Sequence, residues 1–530
     1  MQSNKIKRIL IPFFLIFLTI FTRFYSLNWG NGYFFNPDEN NMAIAVSKMT
    51  LSDLNPHFFA YGQFPLFLTF FTTPNHDFST IILTLRFWSA VFSSLSILFF
   101  YLIAKNIFKS QKISYIFALL LIFTPGLIQS AHFGTTESLL IFIFSANIFL
   151  SLKYYQTEKK LFFLFSILVS AVGLASKITA VFFILPFYLC LFLIFLKNKG
   201  LPACPPTGWV KGGVRKTEGF NLIFTAVIFT LLTSFLSLLF SPFNIIKFSD
   251  FKSTMNYETS VAIGTNKVFY TRQFENSLPY IFQLKNIFPY ANGIFIFIFS
   301  FFGFLFFLKN KIKKEFLLIL IPSIIYFIYA GQLFVKWSRF MSPVFFIAPF
   351  FCLFLIEKIK NKFLILILLI TMISPGFYFF QKYFSIDTRI IASNWIESNI
   401  PSDSFILSES GNVVNLPLFY IDLKVNNFDF YNQDNIKNLS TEINKNDYII
   451  IPSRRVFKNN FPQTEKYYQN LFSGNLGFKE IKVINNQRDL FLNSENAEET
   501  WSVFDSPTIR IYKKVTNFKL NDYQKILIDN

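Results

Sequence analysis

FLILILLITMISPGFYFF, residues 363–380, is an apolar run without a single charged side chain. A helix needs about 20 predominantly apolar residues to cross the ~30 Å hydrocarbon core of a bilayer. Everything after Phe380 is more polar. The run therefore predicts a last membrane-spanning helix that is followed by a domain in water.

Similar apolar runs precede this one, so the sequence predicts about eleven spanning helices in all. The earlier runs lie at residues 9–21, 80–104, 113–131, 137–152, 161–176, 178–196, 220–241, 291–308, 315–333 and 340–356. The chain is 53% hydrophobic, has 78 Phe in 530 residues and has a mean hydropathy of +0.43. A water-soluble globular protein does not accommodate that much apolar surface. We predict a mainly α-helical polytopic membrane domain, residues 1–380, with polar outer loops at 26–79 and 242–290.

The tail, residues 381–530, carries the signals of a small soluble α/β domain. Asp387 is placed to cap a helix that runs through Ile400, and Pro401 ends it. Short β-rich runs and one further helical stretch follow. The predicted strands include 405–407, 447–452 and 508–512, and the predicted helix lies near 464–472.

Charge distribution predicts the orientation of the chain. Lys and Arg outnumber Asp and Glu by 49 to 30, which gives a formal charge of +19. The cations form clusters at 105–112, 153–160, 197–216, 309–314 and 358–362, all on the side of the basic N-terminus. By the positive-inside rule this side is cytoplasmic, which places the C-terminal domain outside a cell (plasma) membrane. The same clustering argues against nucleic acid as the partner, and the Pro/Gly-rich insert 197–219 reads as a disordered cytoplasmic loop.

Few residues suit metal or nucleotide chemistry. Cys190, Cys204 and Cys352 all precede the tail, so its domain has no disulfide to rely on. Three histidines make a multi-histidine metal site improbable. No Gly-rich nucleotide loop is present. Any synthesis on the outer face must therefore draw its energy from a donor that is already activated, such as a lipid-linked one.

Two acidic positions stand at the outer side of the predicted spans. In Asn36-Pro-Asp-Glu39 the Asn and Pro are a helix start, which puts Asp38 and Glu39 in the first turn, where the dipole stabilises anions. A helix through about Met49 along the membrane surface follows from its apolar side. These acids either complement the helix end or reach a lipid-linked substrate. Glu137 either carries chemistry or snorkels to water, and nearby His132 is either a proton carrier or a hydrogen-bonded interface residue.

Cations are depleted on the outer side, so we expect each cation there to have an anionic partner. A phosphate is a natural candidate because it accepts several charge-assisted hydrogen bonds. Pairing with the outer acids is the structural alternative. The positions concerned are Lys177, Lys336, Arg339, Arg86, and Arg272 in the segment that starts at Tyr270.

These motifs together resemble the phospholipid-carrier-dependent membrane glycosyltransferases of the C-type fold, of the family 39 kind that includes protein O-mannosyltransferases and lipid A aminoarabinose transferases. The resemblance covers nearly the whole chain, and order and sidedness make it specific. Its motifs are Pro37–Glu39, Arg86-Phe-Trp-Ser-Ala90, His132–Glu137, Gly173–Thr179, Lys336-Trp-Ser-Arg339 with Pro343, and the tail Val503–Tyr512.

The resemblance implies roles for these residues. Asp38 would act as catalytic base or help to hold a metal, with Glu39 as its neighbour, and Glu137 stands where relatives often have Asp. Because Glu stands there in place of Asp, the resemblance leaves open whether the reaction needs a divalent metal. It makes no cofactor certain. The carrier phosphate would be bound by Lys177 and Arg339, with Arg272 and Lys336 as weaker candidates. His132, Arg86 and Tyr270 are other candidate site residues.

The implied reaction moves a sugar from a polyprenyl-phosphate donor to a hydroxyl of a protein, lipid or glycan, with inversion at the anomeric carbon. The sequence does not name the sugar or the acceptor. A transporter or flippase of lipid-linked sugars is the main alternative, although the charges cluster at one surface rather than near the midplane. A receptor-like protein and an oligosaccharide-block transferase are the other readings.

Overall fold

The computed structural model describes residues 2–199, 214–309, 313–410, 415–418, 423–459, 462–485 and 490–528. Most of the predicted 197–219 insert, with Cys204, lies outside these residues. The described chain is mainly helical, with one small sheet near the C-terminus. The predicted mainly α-helical fold is confirmed at this level, and the division into residues 1–380 and 381–530 stays a prediction.

Six helices are long and apolar enough to cross a membrane, and three bent helix pairs raise the number to as many as nine among the described residues. The other two predicted spans coincide with shorter apolar helices, Leu10–Phe24 and Lys160–Leu174. The count of eleven stays a prediction.

The helices of the first 380 residues are labelled in chain order. They are α1 (Gln2–Phe24), α2 (Pro37–Ser47), α3 (Gln63–Thr72), α4 (Phe78–Phe108), α5 (Gln111–Ile122), α6 (Pro125–His132), α7 (Glu137–Thr157), α8 (Lys160–Leu174), α9 (Leu185–Lys199), α10 (Val214–Phe240), α11 (Phe243–Ile246), α12 (Phe248–Ile263), α13 (Ile281–Asn286), α14 (Phe288–Ala291), α15 (Ile294–Leu308), α16 (Lys314–Gln332), α17 (Ser338–Met341), α18 (Ile347–Lys358) and α19 (Lys362–Phe380).

The core of the helical domain is built by α4, α5, α7, α15, α16 and α18, which bury a continuous set of aromatic and branched side chains. Two glycines allow backbones to touch. A Cβ at Gly376 would lie 1.7 Å from the carbonyl oxygen of Phe123, and one at Gly303 would lie 2.0 Å from that of Phe351. Such small residues are what lets membrane helices pack closely.

Helix α2 begins as the sequence predicts. The side chain of Asn36 accepts hydrogen bonds from the backbone N–H groups of Asp38 and Glu39, and Pro37 is the first helical residue. Met42 and Met49, on the predicted apolar side of this helix, are buried against α3 and α4. The helix is therefore clamped in place, and Asp38 in its first turn has a defined position.

The tail folds as a five-stranded sheet between helices. The strands are β1 (Phe405–Ser410), β2 (Lys424–Asp429), β3 (Tyr448–Ile451), β4 (Phe478–Ile484) and β5 (Ile509–Lys514), in the order β2-β1-β3-β5-β4. The β1 strand is parallel to β2 and β3, and β5 is antiparallel to β3 and β4. The helices are α20 (Thr388–Asn399), α21 (Gln433–Lys437), α22 (Leu439–Lys445), α23 (Pro462–Phe472), α24 (Glu499–Ser502) and α25 (Leu520–Ile528).

The central strand β3 shows why this domain has helices on both faces. Tyr448 and Ile450 pack towards α20, whereas Ile449 and Ile451 pack towards α22, α23 and α25. Alternate residues of a strand point to opposite faces, so a continuous apolar strand needs a cover on each side. The helix capped by Asp387 and the three predicted β-rich segments are present; β2 and β4 are additional strands.

The tail also docks into the helical domain through residues 493–505. The carboxylate of Glu498 accepts hydrogen bonds from the N–H and the hydroxyl of Ser338, at 2.9 and 2.8 Å. Asp505 accepts from Gln129 at 3.1 Å and pairs with Lys382. These groups are buried, so the tail packs directly against the ends of the helices that carry Ser338 and Gln129.

A buried acid inside the tail makes stability depend on pH. Glu409 is 1% exposed, accepts a hydrogen bond from Tyr468 at 2.5 Å, and burial raises its pKa from 4.5 to about 8. The unfolded chain releases this proton at lower pH than the folded chain does, so its contribution to stability is complete below pH 4.5 and is lost as pH rises through about 8.

Replacing Glu409 with Gln should therefore stabilise the protein at neutral pH. The amide oxygen still accepts from Tyr468 but never ionises. We expect thermal unfolding of the purified chain to occur at a temperature higher by about 2–4 °C for each kcal/mol regained. The difference between the two proteins should be larger at pH 8 than at pH 5, and an equal difference at both pH values would contradict the assignment.

Candidate active site

A cavity of about 710 Å³ lies between the docked tail and the ends of the helices that face it. Its size is in the range of sites that bind small molecules. Its charged lining comes from five separate parts of the chain: α2, the loop after α8, α12, α17 and the tail. All of these side chains could bind an anion or transfer a proton. These are Asp38, Lys177, Glu258, Arg339, Arg455 and Glu499.

Asp38 and Arg339 form an ion pair at this cavity, between the Nη1 atom of Arg339 and the Oδ2 atom of Asp38. Each side chain is 19% exposed. The guanidinium lies 4.3 Å from the centre of the Trp337 ring, which supports its orientation. Its Nε atom is buried without a hydrogen-bond partner among the described residues. Arg339 therefore has donor capacity beyond what Asp38 uses.

Lys177 lies beside this pair. Its Nζ atom is 3.6 Å from Oε1 of Glu137 and 5.1 Å from the centre of the Tyr61 ring. Burial lowers the pKa of Lys177, an effect that Glu137 and Asp38 oppose and Arg339 strengthens. Glu137 itself lines a small adjoining pocket of about 30 Å³ together with Asp38 and Arg339. Two cations and two acids thus converge on one point.

Glu39 and Arg86 form a second pair, fully buried and away from the cavity lining. The Nη2 atom of Arg86 lies 2.7 Å from Oε2 of Glu39, and both side chains are 0% exposed. Arg86 also donates to the carbonyl oxygens of Leu27 and Trp29, while Glu39 accepts from the N–H of Gly134 at 2.6 Å. This pair joins the segment between α1 and α2, and the start of α2, to α4 and to the loop before α7.

Of the other predicted site residues, Tyr270 lines the cavity, whereas His132, Lys336 and Arg272 do not. His132 is buried, with Nδ1 2.8 Å from the carbonyl oxygen of Ile128 and Nε2 3.0 Å from that of Tyr25, and it is not among the residues that line the cavity. Lys336 donates to the carbonyl oxygen of Phe334 at 3.0 Å. Neither Lys336 nor Arg272 is among the residues that line the cavity.

Three charged residues of the cavity were not predicted from the sequence. Glu258, on α12, is open to the cavity, and the surrounding protein desolvates it enough to raise its pKa; Arg339 and Lys177 oppose this effect and Asp38 adds to it. Arg455 and Glu499 come from the tail and form a buried pair at 3.5 Å. The consecutive arginines Arg454 and Arg455 follow an apolar strand, and this pattern could have marked Arg455 as a candidate. Nothing in the sequence indicated that Arg455 or Glu499 lies near Asp38.

The donor set does not suit a metal. Among the residues described, no three His, Cys, Asp or Glu side chains come together as ligands. The carboxylate of Asp38 faces a guanidinium instead. We therefore derive no chemical step through a metal ion.

Comparison with known proteins agrees with this architecture. The family model described as dolichyl-phosphate-mannose-protein mannosyltransferase matches residues 67–210, less than half of the chain. The apo crystal structure of the oligosaccharyltransferase of Archaeoglobus fulgidus superposes with a TM-score of 0.52 at 13% identity and covers 86% of this chain and 70% of that one. ArnT from Cupriavidus metallidurans, bound to undecaprenyl phosphate, superposes with a TM-score of 0.50 at 10% identity and covers 95% and 97%. No curated protein sequence matches.

At these identities the likeness to solved structures concerns the fold. The predicted resemblance to C-type membrane glycosyltransferases is confirmed by the family match together with these two superpositions.

Proposed function

We propose that this chain, which has the C-type membrane glycosyltransferase fold, transfers a sugar from a polyprenyl-phosphate donor to an acceptor hydroxyl on the outer face of the membrane. The observation that carries the proposal is the meeting of Asp38, Lys177 and Arg339 in one cavity. Undecaprenyl phosphate, the ligand of ArnT in the superposed structure, is a carrier of the proposed class.

The cavity offers separate surroundings for the two parts of such a donor. Leu140, Leu174, Ile178 and Ala330 give it an apolar side between helices, which suits a polyprenyl tail. The carrier phosphate would bind at Lys177 and Arg339. The buried Nε atom of Arg339 supplies a hydrogen bond that no described residue takes. As the bond to the sugar breaks, the phosphate gains negative charge, and these cations stabilise the transition state more than the ground state.

Donor binding would also release the base. In the structure Arg339 is bonded to Asp38, and a phosphate that takes over the guanidinium leaves a carboxylate oxygen free to accept a proton. Asp38 then deprotonates the acceptor hydroxyl, which attacks the anomeric carbon from the face opposite the phosphate. Configuration inverts, and positioning of the acceptor contributes to lowering the barrier. No observation favours a transporter or flippase.

Removing either cation should weaken the reaction with the donor. Lys177→Ala and Arg339→Ala each delete a charge-assisted hydrogen bond worth about 1.5–3 kcal/mol, so donor affinity or turnover should fall by roughly 10- to 150-fold. Purified protein would be incubated with a labelled polyprenyl-phosphate monosaccharide and with envelope protein, lipid and glycan fractions. Lys336→Ala is the matched control, because Lys336 does not line the cavity. Unchanged donor kinetics in both variants would place the phosphate elsewhere.

The proposed orientation is tested separately by labelling introduced cysteines in intact cells, after the native cysteines are replaced. Asp434→Cys on the tail should react with a membrane-impermeant thiol reagent, because the Asp434 side chain is 83% exposed. Glu158→Cys, at a loop between α7 and α8 and 53% exposed, should react only after permeabilisation. The reverse pattern would place the cavity on the cytoplasmic side.

A further inference from the structure

A second cavity, of about 370 Å³, lies among α15, α16 and α18 and is almost entirely apolar. Helix α16 separates it from the candidate active site. Tyr326, Tyr329 and Ala330 on that helix line the active-site cavity, whereas Ile324 and Phe327 line the second one. The two cavities therefore lie on different faces of one spanning helix, and the second is not an extension of the first.

Asn292 is the distinctive group of this second cavity. It is 1% exposed, and neither Nδ2 nor Oδ1 has a hydrogen-bond partner among the described residues. It stands where α14 and α15 meet at an angle of 117°, beside Gly293, whose φ of +80° makes the bend. A buried amide without partners costs about 1–3 kcal/mol, so its presence among apolar side chains asks for a ligand with a hydrogen-bonding group.

The shape of the cavity indicates which ligand. It extends from Asn292 along α15 to Phe304. The helical part, from Ile294 to Phe304, covers ten positions and so spans about 15 Å. This length is close to half of the ~30 Å hydrocarbon core. A ligand that fills it has one polar group near the end of α15 and an apolar chain about as long as one leaflet is thick.

The lining of this cavity also limits which polar group the ligand can carry. Among the described residues that line the cavity there is no Lys, Arg, Asp or Glu, so a phosphate head would find no cation there, in contrast to the site at Lys177 and Arg339. The polar group must therefore be neutral. We propose that the cavity binds one fatty-acyl chain of a membrane phospholipid, whose ester carbonyl accepts a hydrogen bond from Nδ2 of Asn292.

Photo-labelling of the full chain in phosphatidylcholine vesicles tests this site. A small fraction of the lipid would carry a diazirine on one acyl chain, and labelled peptides would be mapped after irradiation. We expect labelling of residues 288–304 and 344–351 to exceed labelling of the exposed face of α10 several-fold. Equal labelling of both surfaces would mean bulk lipid contact only and would overturn the proposal.

Variants make the test specific. Ala348→Phe should fill the cavity and lower labelling of these peptides about tenfold, and Asn292→Leu should lower it about three- to tenfold through the lost hydrogen bond. Ile370→Phe adds a ring on the lipid-facing surface of α19, where Ile370 is 56% exposed, and should change nothing. Size-exclusion profiles confirm that each variant is folded. Displacement of the label by undecaprenyl phosphate, or cross-links between two copies of the chain, would show that the cavity has another occupant. Either result would overturn the proposal.

Discussion

Asp38→Asn should lower turnover by roughly 100- to 10,000-fold, the range expected when general-base catalysis is lost. The substitution keeps the shape of the side chain and its place in the first turn of α2, where Asn36 bonds to the backbone rather than to the carboxylate. It removes only the basic lone pair and the charge. Turnover would be measured with labelled polyprenyl-phosphate sugar, and folding by thermal unfolding of the same preparation.

Donor binding separates catalysis from simple disruption of the site. The phosphate is assigned to Lys177 and Arg339, so the Asn variant should still bind the donor. Arg339 loses the charge of its present partner, and binding of an anion there should weaken little or even tighten. A variant that fails to bind donor and also fails to turn over would instead show that Asp38 holds the site together.

A matched control is available in another helix, α12. Asp250 is also an acid in a first helical turn, at the start of α12, but it is exposed and does not line the cavity. Asp250→Asn should leave turnover near the wild-type value. Chelation of divalent ions, which should silence the wild type only if Asp38 holds a metal, distinguishes the two catalytic roles. A well-folded Asp38→Asn protein with wild-type turnover would rule out both.

The sequence predicted those parts of the molecule that depend on local pattern. Apolar runs indicated the helices, the Asn36-Pro37 pair indicated the start of α2, and Asp387 indicated the cap of α20. In each case a few neighbouring residues determine the outcome. The strand β2, which carries polar residues such as Asn426 and Asn427, was missed because an edge strand of a sheet need not be apolar.

The contribution of the tail to the site could not be predicted in this way. Arg455 and Glu499 meet the cavity because the tail docks through Glu498 onto Ser338, 160 positions earlier in the chain. That contact depends on how two independently patterned domains fit together, and no local periodicity reports it. The same limit applies to Glu258, which is an ordinary acid on a polar helix until packing brings it near Lys177 and Arg339.

Proximity in sequence also hid a difference between two adjacent acids. Asp38 and Glu39 share a helix turn, and both read as catalytic candidates. In the structure Asp38 opens into the cavity, while Glu39 is 0% exposed and surrounded by Arg86 and the N–H of Gly134. Successive residues of a helix point in directions about 100° apart. Two neighbouring side chains in a first turn can therefore contact different parts of the protein. We therefore propose that Glu39 positions the first outer loop and that Asp38 does the chemistry.

Glu39→Gln tests this division of roles and should destabilise the protein strongly. Removing one partner of a buried ion pair leaves an uncompensated charge, here that of Arg86, at a cost of about 3–5 kcal/mol. We expect a clearly lower unfolding temperature and a smaller folded yield in detergent. The exposed Asp434–Lys437 pair provides the control, since Asp434→Asn should have no measurable effect on unfolding.

The double variant Glu39→Gln with Arg86→Gln separates the effect of charge from that of the hydrogen bonds. Neutral amides remove the uncompensated charge of Arg86 and still offer a donor to the carbonyls of Leu27 and Trp29 and an acceptor to the N–H of Gly134, so this protein should be more stable than the Glu39→Gln single variant. Whatever remains folded should turn over at nearly the wild-type rate per molecule, because neither side chain lines the cavity. A normal unfolding temperature combined with a large loss of turnover in Glu39→Gln would show instead that Glu39 takes part in the reaction.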